Sequence, residues 1–190
     1  MCAMARTKAS PASPIHVDFL AAEDTGLPGR IGLTIAPGKK DGPPAWHRDL
    51  DEDLLRLREE YACDLLVSLM EPHEYEWLGI PDLFERAPAH GIEVAPFPIE
   101  DCCAPPRDAM PRFAELVGRI VAAARAGKTV VIHCRGGLGR SGTVAAACLV
   151  ALGHQPAMAV LEVRAARPGA VETHEQERWV EAYAETLGPS

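Results

Sequence analysis

The chain has 190 residues, 47% of them hydrophobic and 24% charged, with a formal net charge of −8. This is ordinary globular composition and enough chain for one domain with a sizeable core. The acidic balance argues against a broad nucleic-acid footprint or an anionic membrane surface, although it permits a local positive pocket.

Residues 1–14 are mixed and polar, without an apolar run, and read as a disordered tail and not a signal peptide. Ile15 to Leu20 alternates apolar and polar and predicts a strand, and Arg30 to Ala36 predicts a second. Pro37 to Pro44 is turn-rich, with Lys39 and Lys40 expected in solvent. Leu50, Leu54, Leu57 and Tyr61 share one face of a helix over about 50–61, and Asp49, Asp51, Glu52 and Asp53 suit its N-terminal end. A short strand from Asp64 to Leu69 follows, then two short helices, Glu71 to Leu78 and Pro81 to Ala89, and a strand from Ile92 to Phe97. A proline-punctuated loop, 98–106, leads into a long helix over about 108–125. Its apolar face is Phe113, Leu116, Val117, Ile120, Val121 and Ala124, and Gly127 ends it. Gln155-Pro156 opens a helix to about Arg167. Thr173-His174-Glu175-Gln176 has capping-box spacing for a last helix carrying Trp179, Val180 and Tyr183. Alternating strands and helices imply an α/β single domain with a mainly parallel central sheet flanked by helices. No apolar segment is long enough to span a bilayer. The six cysteines (2, 63, 102, 103, 134, 148) contain no CxxC pair, so neither a zinc site nor a disulfide framework is indicated. A reduced, cytoplasmic protein is expected.

The stretch that carries chemistry runs from Val130 to Gly142: a β-branched strand, His133-Cys134, a loop with three glycines, Arg140-Ser141, then an apolar helix. A loop entering a helix turns its N–H groups inward as an anion-sized nest, and the helix dipole adds to that field. Gly136, Gly137 and Gly139 permit backbone angles and close approach that other residues resist. Arg140 suits a bidentate grip on phosphate. The same field favours the Cys134 thiolate, which places a nucleophile at the floor of an oxyanion cradle. A Walker-type nucleotide loop is disfavoured, because no Lys precedes Ser141 and the glycine spacing differs. The departing oxygen of a phosphate ester needs a proton. Glu100, Asp101 and Asp108 are the carboxylic acids that follow the preceding strand.

His133-Cys134-(five residues)-Arg140-Ser141 resembles the signature loop of the cysteine-dependent protein tyrosine phosphatases, the dual-specificity branch above all. Pro98-Ile99-Glu100-Asp101 resembles the general-acid loop of the kinase-associated members, in which the aspartate two residues after the isoleucine is the acid; that residue is Asp101 here. Ile31-Gly32-Leu33-Thr34, Ala36-Pro37-Gly38-Lys39-Lys40, Arg48-Asp49-Leu50 and Gly79-Ile80-Pro81-Asp82-Leu83 are similar to the cyclin-dependent kinase inhibitor 3-type domain, which would span 15–186. The resemblance implies a phosphomonoester hydrolase working through a phosphocysteine intermediate. In it Cys134 attacks phosphorus, Arg140 and loop residues Arg135, Gly136, Gly137, Leu138 and Gly139 bind the phosphate, and Asp101 is acid and then base. Ser141 eases thiolate departure and His133 holds the loop. The resemblance implies no metal and no cofactor. It also implies a phosphorylated protein as partner (phosphotyrosine, with phosphoserine and phosphothreonine open), and neither nucleic acid nor membrane.

One departure stands out. Related enzymes often carry a water-orienting Gln in an Ile-Gln-Thr segment. Val171-Glu172-Thr173 places Glu172 there instead, with Gln176 one turn on as the other candidate. That departure keeps alive a phosphoprotein-binding module without turnover. A further alternative is a phosphatase of phosphoinositide or RNA 5′ phosphate, which a loop with Arg135 as its one additional cation does not favour. Cys102 or Cys103 is a candidate for a reversible disulfide with Cys134, while Cys63 and Cys148 read as core.

Overall fold

The structure is a computed structural model that describes residues 8–9, 13–41 and 46–188. In chain order the elements are β1 (Lys8–Ala9), β2 (Asp18–Phe19), α1 (Ala22–Thr25), β3 (Arg30–Thr34), β4 (Lys40–Asp41), β5 (Trp46–His47), α2 (Leu50–Glu59), β6 (Cys63–Ser68), α3 (Pro72–Trp77), α4 (Leu83–Ala89) and β7 (Glu93–Pro96). A 3₁₀ turn, Arg107–Ala109, then enters α5 (Met110–Arg125), followed by β8 (Thr129–His133), α6 (Gly139–Ala151), α7 (Pro156–Ala166) and α8 (His174–Leu187). The main sheet has the order β2-β3-β8-β6-β7, with β3, β8, β6 and β7 parallel and β2 antiparallel at one edge. This is the expected α/β architecture with a mainly parallel sheet.

The strand that carries the signature loop is the central one. All five residues of β8 are buried, because helices cover both faces of the sheet. Val130 and Ile132 face the cluster built with α5, α6, α7 and α8, and Val131 faces the cluster built with α2, α3 and α4. The α6 helix is buried from Gly139 to Val150, so the loop sits between two buried elements. At ~1.5–3 kcal/mol per buried large apolar side chain, such packing holds the loop ends firmly.

Several expected boundaries shift. Of Ile15 to Leu20 only Asp18–Phe19 pairs, with Leu33 and Gly32 of β3, while Ile15 and Val17 are buried as core residues without being strand. Gly32 admits this edge: a Cβ there would stand 2.4 Å from Val17 Cγ1 and 2.9 Å from the Phe19 ring. A small sheet, β1-β5-β4, was not expected, since two-residue strands carry no periodicity. It takes up Lys8–Ala9 of the tail expected to be disordered; residues 1–7 and 10–12 of that tail lie outside the described residues. The turn after β3 is anchored to α2. Arg48 donates to both oxygens of Asp53 at 2.6 Å, and Asp53 Oδ2 also accepts from Gly38 N at 2.8 Å. Gly38 has φ +70°, which favours glycine. Among the described residues, no helix is long and apolar enough to cross a membrane.

Candidate active site

Gly137, Ser141 and Arg140 converge with Cys134 at the carboxyl end of β8. Cys134 is buried; its Sγ accepts from Gly137 N at 3.2 Å and lies 3.6 Å from Ser141 Oγ. The three glycines differ in what they do. Gly137 has φ +70°, and a Cβ there would stand 2.3 Å from the Thr34 carbonyl oxygen. At Gly139 a Cβ would meet Glu172 Oε2 at 2.5 Å and Gln176 Nε2 at 2.7 Å, whereas at Gly136 it would meet nothing within 4 Å. The loop therefore requires glycine at Gly137, for its angle and the nearby Thr34 backbone, whereas at Gly139 a Cβ would displace side-chain ends and at Gly136 it would displace nothing. Leu138 ties the loop to the segment before α8, its carbonyl accepting from Val171 N at 3.3 Å. Arg167 donates to Gly136 O at 3.1 Å and pairs with Asp18.

Arg140 is 1% exposed, with Nη1 and Nη2 donating to Glu74 Oε2 and Oε1 at 2.6 and 2.9 Å and Nη1 also to Ile99 O at 3.0 Å. Burial works against the Arg140 charge, but Glu74, Cys134 and Asp101 outweigh it and hold the guanidinium protonated more firmly than usual. Burial also pushes the Glu74 carboxyl up; hydrogen bonds from Arg140 and Glu71 N, with the Arg140 charge, overcome it and hold Glu74 below the ordinary carboxylate range. Of the three candidate acids, only Asp101 reaches the cradle. Its Oδ1 stands 2.8 Å from Arg140 Nη2 and its Oδ2 stands 3.7 Å from Arg135 Nη1. Glu100 and Asp108 are exposed, and the ion pairs of Arg140 among the described residues are with Glu74 and Asp101.

His133 is fully buried, and burial pushes its imidazole down to about 4, a neutral ring at physiological pH. Its Nδ1 lies 3.4 Å from Cys134 O, and its Nε2 has no partner among the described residues. Its hold on the loop is thus one long contact, less than the sequence led us to expect. Gln176 is buried, accepts from Glu172 N at 2.9 Å and Thr173 N at 3.3 Å, and donates to Cys103 O at 3.2 Å. It caps α8 and ties the acid loop to that helix, while Glu172 is exposed beside Gly139. All five described cysteines are free thiols; Cys63 and Cys148 are buried in the core, and burial drives the Cys63 thiol up to about 12.

A family profile described as the Swiss Army Knife protein, DSP-PTPase phosphatase domain, matches residues 48–180. The chain belongs to this family. It is a cysteine-dependent phosphatase of the dual-specificity type and resembles the kinase-associated phosphatases. It is 27% identical over 180 residues to cyclin-dependent kinase inhibitor 3 of Homo sapiens, covering 92% of this chain and 81% of that protein. The rat protein of the same name (Rattus norvegicus) is 26% identical over 178 residues, with the same coverage. Among solved structures, a kinase associated phosphatase with its catalytic-site cysteine replaced by serine superposes with a TM-score of 0.84 at 24% identity, covering 94% of this chain and 98% of that one. Tk-PTP in its active form superposes with a TM-score of 0.69 at 32% identity, covering 89% of this chain and 96% of that one.

This phosphatase also recruits residues that its sequence did not single out. Glu74 is the buried partner of Arg140, 66 positions away. Lys39, expected in solvent, is buried: Nζ lies 3.4 Å from Asp41 Oδ2, 3.5 Å from Arg135 O and 5.3 Å from the Trp46 ring centroid. Burial pushes the Lys39 amine down by more than Asp41 draws it up. Asp41 accepts from Arg135 Nε at 3.2 Å and Nη2 at 2.9 Å, and the Arg135 guanidinium lies 4.2 Å from the Trp77 ring centroid. Burial raises the Asp41 carboxyl, but Arg135 and Lys39 outweigh it and hold it low. Nothing in the spacing of these residues joins them; the parallel crossovers do.

Proposed function

We propose that this phosphatase hydrolyses phosphomonoesters through a phosphocysteine on Cys134, with a phosphorylated protein as substrate. The observation that carries the reading is the meeting of two separate segments at one cradle: Cys134, Arg140 and Ser141 from the signature loop and the start of α6, and Asp101 from the loop after β7. Cys134 Sγ attacks phosphorus while Arg140 and the loop amides take the charge on the equatorial oxygens. The ester P–O bond breaks, and its oxygen takes the proton of Asp101. Asp101 then accepts a proton from the water that attacks the phosphocysteine, and the Ser141 hydroxyl steadies the departing thiolate. Arg135, the loop's one further cation, is engaged by Asp41 and Asp101, so it is poorly placed to seize a second phosphate, which supports a protein over a phosphoinositide. The capping bonds occupy the Gln176 carbonyl and Cys103 O takes one N–H of its amide, which leaves one amide N–H beside Gly139 to orient the water, whereas the exposed Glu172 carries no amide.

The test is hydrolysis of 4-nitrophenyl phosphate in EDTA by the wild type, Cys134→Ser and Asp101→Ala, with acid-quenched phosphoenzyme located by mass spectrometry. Loss of turnover in the serine variant, a fall of ~10²–10⁴-fold in the alanine variant, and phosphate on the Cys134 peptide are expected. An inactive wild type with reduced Cys134 that still binds vanadate would replace the enzyme by a phosphoprotein-binding module.

A further inference from the structure

Arg140 is already committed where substrate has to sit. Nη1 serves Glu74 and Ile99 O, and Nη2 serves Glu74 and Asp101, which takes up four of the five N–H groups of a guanidinium. A bidentate grip on phosphate uses two of the five, so at least one contact has to yield. Burial decides which. The Glu74 side chain is 3% exposed, and a guanidinium stripped of it would be left with an uncompensated buried charge; the Asp101 side chain is 46% exposed, where water can replace its partner. The carboxylate of Asp101 is therefore the one that phosphate displaces.

The second oxygen of Asp101 faces a different cation. Arg135 Nη1 stands 3.7 Å from Oδ2, within ion-pair range but short of a hydrogen bond. Arg135 is itself immobilised by two bonds to Asp41 Oδ2 and by the Trp77 indole beneath it. Resting on the phosphocysteine reading above, we infer that Arg135 is the residue that positions Asp101 in the loaded site. Phosphate takes the Arg140 N–H that Oδ1 held, and Arg135 keeps Oδ2. A neutral carboxyl still accepts through its carbonyl oxygen, so Oδ1 is left to carry the proton. In the step served, the Cys134 Sγ–P bond forms and the ester P–O bond breaks with its electron pair on oxygen. The proton on Asp101 Oδ1 moves to that oxygen. The Asp41 and Trp77 contacts thus belong to the acid as well as to the loop.

The discriminating readout is leaving-group dependence, because a donor of protons matters most when the leaving oxygen is basic. kcat/KM is measured for phenyl phosphate and for the activated ester difluoromethylumbelliferyl phosphate. The proteins compared are the wild type, Arg135→Met, Arg135→Lys, Asp101→Ala and the Arg135→Met/Asp101→Ala double variant. Arg135→Met is expected to lose about tenfold or more on phenyl phosphate and less than about threefold on the activated ester, and to add nothing in the Asp101→Ala background. Arg135→Lys, which keeps charge but not the planar fork, falls between the wild type and Arg135→Met. Inhibition by inorganic phosphate should stay within about threefold of wild type, showing an intact cradle. Equal losses on both esters, losses additive with Asp101→Ala, or a parallel loss of phosphate binding would overturn the inference and leave Arg135 a plain loop or phosphate contact. A leaving-group dependence that appears in Asp101→Ala but not in Arg135→Met would sink this inference alone. A wild type inactive on both esters would sink the phosphocysteine reading and the inference with it.

Discussion

Replacing Glu74 by Gln tests how the cradle is held. The Arg140–Glu74 pair is bidentate at 2.6 and 2.9 Å, with side chains 1% and 3% exposed. Glutamine keeps the shape and one acceptor but sets an amide NH₂ against the guanidinium and leaves the buried Arg140 charge unbalanced. Removing one member of such a pair costs about 3–5 kcal/mol. For a domain of this size that is a fall in melting temperature of roughly 6–20 °C, at about 2–4 °C per kcal/mol. Arg140 would also lose the bonds that aim it, and a misplacement of about 1 Å can cost ~10²-fold in rate. The assay is thermal unfolding followed by circular dichroism, together with kcat/KM for 4-nitrophenyl phosphate. Glu76→Gln, on the exposed side of the same helix, is the control and should change stability by no more than about 0.5 kcal/mol. If Glu74→Gln melted like the control and kept its kcat/KM, the buried pair would be neither scaffold nor aim for Arg140, and the reasoning from burial would be wrong.

Two further outcomes follow from the loop and the strand beneath it. Gly137→Ala meets the Thr34 carbonyl oxygen at 2.3 Å with φ +70°, so kcat/KM should fall by at least ~10-fold, whereas Gly136→Ala meets nothing within 4 Å and should stay near wild type; similar values for the two would refute the distinction. His133, pushed down to about 4 from 6.5, stays neutral in the fold while the unfolded chain takes a proton below 6.5, so stability is lost as pH falls from 6.5 towards 4. The linkage amounts to about 2 kcal/mol between pH 7 and pH 5. Urea unfolding should show that loss in the wild type and not in His133→Asn, and equal slopes would mean that folded His133 accepts the proton after all.

What was legible in the sequence was local. The order of strand, His133-Cys134, glycines, Arg140-Ser141 and apolar helix sits within a dozen residues, and each residue acts on its neighbours. The α5 face appeared at its 3.6-residue period, and the Thr173–Gln176 capping box closed as its spacing required. Asp101 was legible because its loop carries its own pattern. Glu74 was not: a glutamate in a six-residue helix reads as solvated, and only the β6–β8 pairing brings α3 over the start of α6. Lys39 misled in the opposite direction. Lys39-Lys40-Asp41-Gly42 has the composition of an exposed turn, yet Trp46 and the carbonyl of Arg135, 96 positions later, enclose its amine. Composition ranks a residue by its average surroundings, and these two have partners that no window of sequence contains.

The same long-range pairing explains how a chain of net charge −8 keeps a phosphate site. Three carboxylates at the cradle are each engaged by a cation, and their exposure is graded: Glu74 at 3%, Asp41 at 17% and Asp101 at 46%. In water a partner is readily exchanged, and in the interior it is not. Glu74 thus fixes Arg140, Asp41 fixes Arg135, and only Asp101 is loose enough to give way to an incoming anion. On the mechanism proposed above Asp101 is also the proton donor, so its displacement by phosphate frees the carboxyl to hold the proton that the leaving oxygen requires.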